Sequence, residues 1–231
     1  MKPFILPAPN VNRPLIAGQG ANCGYTPGMS RADRIRKLLD EHGTTHAYEA
    51  GITLRDKPAP LYQLLVLTVL FSGRISAGIA VSTARELWKS GWRTPQALLD
   101  SAWQQRVDAL GRGGYRRYDE STATYLAEDA QLLVDRYHGD LRRLRDDVNG
   151  DPTGIRERIT EFHRIGPVGA EIFCREAQAV WPTLRPSFDR RALTAATIGL
   201  PDDPAELAAL VAADDLARLA AALVRSSLSR N

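Results

Sequence analysis

The residues of this chain best suited to chemistry lie in Phe162-His163-Arg164-Ile165-Gly166-Pro167-Val168-Gly169-Ala170-Glu171, followed after an apolar helix pattern and a Pro-rich loop by Ser187-Phe188-Asp189. Gly166 and Gly169 bracket Pro167-Val168, a composition that lets the chain turn sharply and open a helix near Ala170. The backbone N–H groups at such a helix start, from Gly166, Val168, Gly169 and Ala170, make an anion site; Pro167 has none to give. With Arg164 alongside, the fitting anion is a phosphate of a nucleic-acid backbone, which amides grip without reading sequence. An ordinary helix-to-helix turn, in which Gly and Pro serve geometry alone, fits the same residues. Asp189 in Phe188-Asp189-Arg190-Arg191-Ala192 reads as an aspartate helix cap, and a capped carboxylate is also a fixed negative charge.

The segments that must position these groups all read as helices. Ser30 with Asp33 gives a capping-box-like start, and Ile35, Leu38 and Leu39 give the apolar stripe of a first helix. Further starts fall at Thr94-Pro95 and at Ser101 with Gln104. Leu61–Phe71 is a short apolar run that in isolation suits a buried strand equally, but no second alternating run exists to pair with it. Helices are expected over 76–88, 118–137, 153–163, 170–180, 190–198 and in the Ala/Leu-rich tail from Pro204, where Asp202, Asp203, Asp214 and Asp215 supply helix-start charges. The acidity of that tail points to packing rather than to an anion-facing surface. Residues 1–29, rich in Pro, Gly and Asn without period, are expected to form an extended or disordered arm.

Pro60-Leu61-Tyr62-Gln63-Leu64-Leu65-Val66-Leu67-Thr68-Val69-Leu70-Phe71-Ser72-Gly73-Arg74 resembles the first barrel helix and following loop of the endonuclease III group of helix-hairpin-helix (HhH-GPD) DNA glycosylases. Thr94-Pro95-Gln96-Ala97-Leu98-Leu99, Leu110-Gly111-Arg112-Gly113-Gly114-Tyr115 and Tyr137-His138-Gly139-Asp140-Leu141 continue the likeness in order, and the hairpin and Asp189 complete it. The resemblance runs from about Arg31 to Thr194 and implies an all-α, two-lobed fold. A six-helix module would span 58–181, and a second lobe would be made from 30–57 plus 182–231, with the substrate cleft between them.

The resemblance implies a base-excision DNA repair glycosylase that acts on double-stranded DNA. It places the catalytic aspartate at Asp189, the residue inserted into the gap left by an extruded base at Arg74, and backbone contacts at Arg164, Gly166, Val168, Gly169, Ala170 and Arg190. It also implies a structural sodium or potassium ion on the backbone carbonyls of His163, Ile165 and Val168. Cleaving an N-glycosidic bond builds positive charge on the sugar, which a carboxylate stabilises; Asp189 would do this, and Glu171 would serve as an acid toward the leaving base. A first-turn glutamate favoured by the helix dipole is the alternative for Glu171. Trp88, Trp92, Trp103, Tyr115 and Tyr118 could stack on an extruded base, or serve as core.

The chain departs from the family pattern at several points. The usual Leu-Pro-Gly-Val-Gly becomes Ile165-Gly166-Pro167-Val168-Gly169. Glu171 stands where lyase members carry a Schiff-base lysine, and a carboxylate cannot form an imine, so a monofunctional enzyme is expected. Only Cys23 and Cys174 exist, so the four ligands of the family's iron–sulfur cluster are not available. A non-catalytic DNA-binding or lesion-sensing protein, or an abasic-site lyase using Lys57, Lys89 or the N-terminus, would account for the same departures. His42 and His46 have helix-face spacing but no evident third metal ligand.

Composition is compatible with this reading. With 44% hydrophobic and 25% charged residues in 231, the chain is neither fibrous nor intrinsically disordered. Its 30 basic residues include four lysines (2, 37, 57 and 89), the rest being arginine, which suits planar phosphate contacts but also follows from genomic base composition. Arginines cluster beside three loops, at 112, 116 and 117, at 142, 143 and 145, and at 185, 190 and 191, so salt-sensitive DNA affinity is expected if these loops converge. Pro3, Pro7 and Pro9 break the apolar start, and Leu64–Phe71 is too short to span a bilayer, so a soluble cytoplasmic monomer with a buried Cys174 thiol is expected.

Overall fold

The computed structural model describes residues 30–73, 75–196 and 199–228. The expected arm over 1–29, Cys23, Arg74 and the end of the helix expected to reach residue 198 lie outside the described residues. Those described are all helical, without a strand: α1 (Arg31–His42), α2 (His46–Glu49), α3 (Pro58–Phe71), α4 (Ala77–Lys89), α5 (Pro95–Leu99), α6 (Trp103–Arg112), α7 (Asp119–Tyr137), α8 (Leu141–Asp147), α9 (Pro152–Ile159), α10 (Pro167–Ala177), α11 (Arg190–Ala196), α12 (Pro204–Ala208) and α13 (Leu216–Leu228). Two short 3-10 turns, Pro182–Leu184 and Ala213–Asp215, complete them.

Local signals account for most boundaries. The Ser30 hydroxyl accepts from the Asp33 amide and donates to the Asp33 carboxylate, and the Thr94 hydroxyl accepts from the Ala97 amide ahead of Pro95. The start expected at Ser101 is displaced by one residue: Ala102 precedes α6, and its amide donates to Gln105, because the reaching side chain is Gln105 rather than Gln104. The helix expected over 153–163 stops at Ile159, since Phe162 turns inward to full burial and Arg164 takes a left-handed φ of 63°. The following helix begins at Pro167, three residues earlier than expected, because proline's fixed φ suits the first helical position and its missing N–H costs nothing there.

Leu61–Phe71 is helix, and every side chain from Leu61 to Leu70 is buried. A helix apolar on all sides has to sit in the middle of its neighbours; α3 packs against α4, α8 and α10. The core around it gathers side chains from Ala47 to Leu184. A separate, smaller core joins Ala192, Ala195 and Ala196 of α11 to Leu207 and to Leu219, Leu223 and Val224 of α13, with Leu38 and Leu39 of α1 against it. Both chain ends therefore build the second core, while α10 also packs on α13. No helix among the described residues is long and apolar enough to cross a membrane.

Candidate active-site cleft

The hairpin between α9 and α10 is held from below by a buried carboxylate. Asp129, 3% exposed on α7, accepts from the His163 amide at 2.8 Å and pairs with the His163 ring at 2.8 Å. Burial pushes the Asp129 carboxyl up to about 6, against the pull of the His163 amide and ring. The His163 ring stacks on Tyr125 with centroids 5.1 Å apart, and Arg164 lies over Tyr118 and Tyr125. Arg164 thus both supplies the left-handed residue of the turn and packs on the two rings. Gly166, by contrast, has a φ of −87° that any residue adopts, so the sharp turn expected of the glycines is made by Arg164.

The N-terminus of α10 has no side-chain cap. The Ala170 amide is engaged, donating to the Gly166 carbonyl at 3.0 Å. That leaves the amides of Gly166, Val168 and Gly169 as the donors an anion could take, beside an exposed Val168 side chain.

Along α10, Glu171 and Arg175 are one turn apart and share a face. Arg175 is ion-paired with Asp189, the two side chains being 4% and 9% exposed. The other Asp189 oxygen accepts from the Ala192 amide at 2.8 Å, so Asp189 does cap α11. Gln178, fully buried, fixes the approach to it: its amide group donates to the Ser187 carbonyl at 2.7 Å and its oxygen accepts from the Ser187 amide at 2.9 Å. Arg175 and Gln178 were not marked by the sequence; polar residues recurring through an apolar 170–180 pattern, with Glu171 and Glu176 among them, are the signal that could have found them.

A third contribution comes from α2. The buried Glu176 carboxylate accepts from the amides of His46 (3.3 Å) and Ala47 (3.0 Å), anchoring this four-residue helix against α10. The His46 ring contacts Phe71, with centroids 4.8 Å apart. Its Nδ1 lies 3.0 Å from Arg225 of α13 and 3.3 Å from Glu49, and Arg225 and Glu49 are themselves ion-paired. Burial chiefly, with the Arg225 and Arg175 charges, lowers the His46 pKa despite Glu176. Burial pushes Glu49 the other way, but the Arg225 hydrogen bond and charge prevail and hold its carboxyl below the usual range.

These groups meet in one cleft of about 970 Å³ whose walls include Glu171, Arg175, Asp189, His46, Phe71 and Arg190. That is the scale of a small-ligand pocket. Arg191 also reaches it, as do Val224, Ser227 and Leu228, so the tail expected to serve only packing also forms part of the wall. The expected stacking aromatics are elsewhere: Trp88, Trp92 and Tyr115 are buried in the larger core, and exposed Trp103 donates to Thr124. The aromatic ring of the cleft is Phe71. Of the three arginine clusters, that at 185, 190 and 191 reaches the cleft, through Arg190 and Arg191, and the other two do not. Arg112 pairs with Glu86, Arg142 with Asp140, and Arg145 with Asp56 and Asp146, while Arg185 donates to the Gln178 and Ala179 carbonyls at the end of α10. His42 ends α1 and His46 begins α2, so they do not share a helix face.

No family model matches this chain, and no curated protein matches its sequence. Among solved structures, a trapped endonuclease III–DNA covalent intermediate in an estranged-adenine complex is similar over 85% of both chains at 16% identity and a TM-score of 0.44. A non-covalent endonuclease III–DNA complex is similar over 85% of both chains at 15% identity and a TM-score of 0.45.

Proposed function

We propose that this chain is a monofunctional DNA glycosylase of base-excision repair, which draws a damaged or mismatched base out of double-stranded DNA and hydrolyses its N-glycosidic bond. The observation that carries the reading is the meeting of Glu171 and Asp189 in one cleft, beside exposed Arg190 and Arg191 and an uncapped helix start. In this reading the C1′–N bond breaks with its electron pair on the base, which takes a proton from Glu171. The Asp189 carboxylate stabilises the sugar cation, and water adds to C1′ while its proton returns to Glu171. Arg190 and the amides of Gly166, Val168 and Gly169 hold the DNA backbone. The base would enter between the module 58–181 and the lobe 30–57 plus 182–231. The protein would act as a cytoplasmic monomer.

Among the described residues no backbone amide donates to the carbonyls of His163 and Ile165, which suits the proposed sodium or potassium ion; the third ligand, Val168, sits in the first turn of α10. No iron–sulfur cluster is proposed, for want of cysteines.

One observation favours a second reading, a DNA-binding protein without turnover: both Asp189 oxygens already have partners, in Arg175 and the Ala192 amide. A lyase using Lys57 or Lys89 has less support, since neither lines the cleft and Lys89 pairs with Glu86. Single-turnover base release from duplexes carrying uracil, alkylated purines, oxidised pyrimidines or mismatched adenine distinguishes these readings. Strand breaks that appear only after hot alkali and vanish in Asp189→Asn support hydrolysis; salt-sensitive binding without release supports the second reading.

A further inference from the structure

His46 is the cleft residue that neither the ion pair nor the hairpin explains. Its Nδ1 stands 3.0 Å from Arg225, and an arginine only donates, so Nδ1 must be the unprotonated nitrogen. The competing arrangement, an Nδ1–H directed at Glu49, has the longer separation of 3.3 Å and would set two N–H groups against each other, while the Glu49 oxygen concerned is already ion-paired to Arg225. The proton of the neutral ring is then on Nε2. Among the described residues Nε2 has no partner, although the residue is 8% exposed and lines the cleft. The ring is otherwise held in place: Phe71 lies against it, Arg225 donates to Nδ1 and is itself ion-paired to Glu49, and Glu176 accepts from the backbone amide.

We propose that His46 offers this Nε2–H as a fixed donor to the base drawn into the cleft, so that the pocket selects bases whose edge carries a carbonyl oxygen. The inference rests on the glycosylase reading and narrows its substrate class. A pocket built around one unpartnered donor discriminates by leaving that donor unsatisfied when the wrong base enters. Phe71 supplies the neighbouring apolar face. The selecting group comes from outside the hairpin and outside the Glu171–Asp189 pair.

The test has two parts. Long-range proton–nitrogen correlation spectra of the free protein, with the His46 signals identified by their loss in His46→Phe, should show a protonated Nε2 and a bare Nδ1. Affinities are then measured for duplexes with hypoxanthine or purine at one position, which differ in the six-position oxygen, and with uracil or pyrimidin-2-one, which differ in the four-position oxygen. The wild type should prefer at least one oxo base over its partner by about three- to tenfold, the range of a single hydrogen bond. His46→Phe should reduce that ratio to about one. Because the same two duplexes are compared across proteins, differences in their pairing strength cancel. Arg225→Met, which keeps the ring but releases Nδ1, should lower the ratio too and covers the case in which His46→Phe fails to fold. An Nδ1–H tautomer, or an oxo preference that survives in these variants, overturns the proposal. A wild type that binds no duplex at all overturns the glycosylase reading itself, and the inference with it.

Discussion

Arg175 and Asp189, fourteen residues apart, form an ion pair in which neither side chain is more than 9% exposed. Breaking such a pair from one side strands a charge in a poorly solvated place. Arg175→Met should therefore lose about 3–5 kcal/mol of stability, and Arg175→Met combined with Asp189→Leu should recover much of it. Urea unfolding of the three proteins checks this; a single variant as stable as the wild type would mean that the pair holds nothing together.

Two glycines of the hairpin separate space for the fold from space for a ligand. A Cβ at Gly166 would meet nothing within 4 Å, and its φ of −87° suits alanine. A Cβ at Gly169 would come to 3.0 Å of both Ile165 and Ser72. Gly166→Ala should keep or raise the melting temperature, by roughly 0.4–1 kcal/mol of stability, and weaken DNA binding if phosphate approaches there. Gly169→Ala should destabilise. Thermal melts paired with binding assays distinguish them, and unchanged affinity in Gly166→Ala would remove the hairpin from the DNA contact.

Asp129 predicts an inverted pH dependence. Its carboxyl stands at about 6 in the folded chain against an ordinary 3.8, so folding favours the protonated form. The stability this contributes is fully present below about pH 3.8 and is lost as the pH rises through 6. Asp129→Asn keeps an acceptor for the His163 amide and cannot ionise. Between pH 3.5 and pH 7.5 the variant should gain roughly 3 kcal/mol on the wild type, measured by denaturant titrations at several pH values. Parallel curves for the two proteins would remove Asp129 as the cause.

Cys174 should be inert in the folded state. It is fully buried on α10, and burial pushes its thiol up to about 12. In a Cys23→Ser background, thiol reagents at pH 8 should modify it only as fast as the chain opens, with prompt reaction in urea. Rapid labelling under native conditions would contradict the burial.

Where the cause is local, the sequence was readable. Ser30 and Thr94-Pro95 placed their helix starts to within a residue, because caps and prolines act within one turn, and the helix expected over 118–137 runs from 119 to 137. The hairpin's neighbours were misjudged by three or four residues, since the reversal is made by Arg164 rather than by a glycine. Asp189 and Glu171 were singled out through the order of motifs, and both line the cleft. His46 was noticed, but as a stray metal-ligand candidate. The groups that define it, Glu176 and Arg225, lie 130 and 179 residues away, a distance over which spacing carries no signal. Arg112, Arg142, Arg145 and Arg185 misled for the opposite reason: they are visible in sequence, but the acids and carbonyls that occupy them are not.

Four residues make too short a helix to exist alone. α2 is held at its start by Glu176, a side chain that comes into position only when α10 has formed and docked. His46 therefore takes its place only where α10 is docked, as its neighbour Ala47 enters the larger core. A chain caught partway through folding would already possess Glu171 on its helix yet lack the wall opposite. In the glycosylase reading, such a chain would lack the donor proposed to choose among bases.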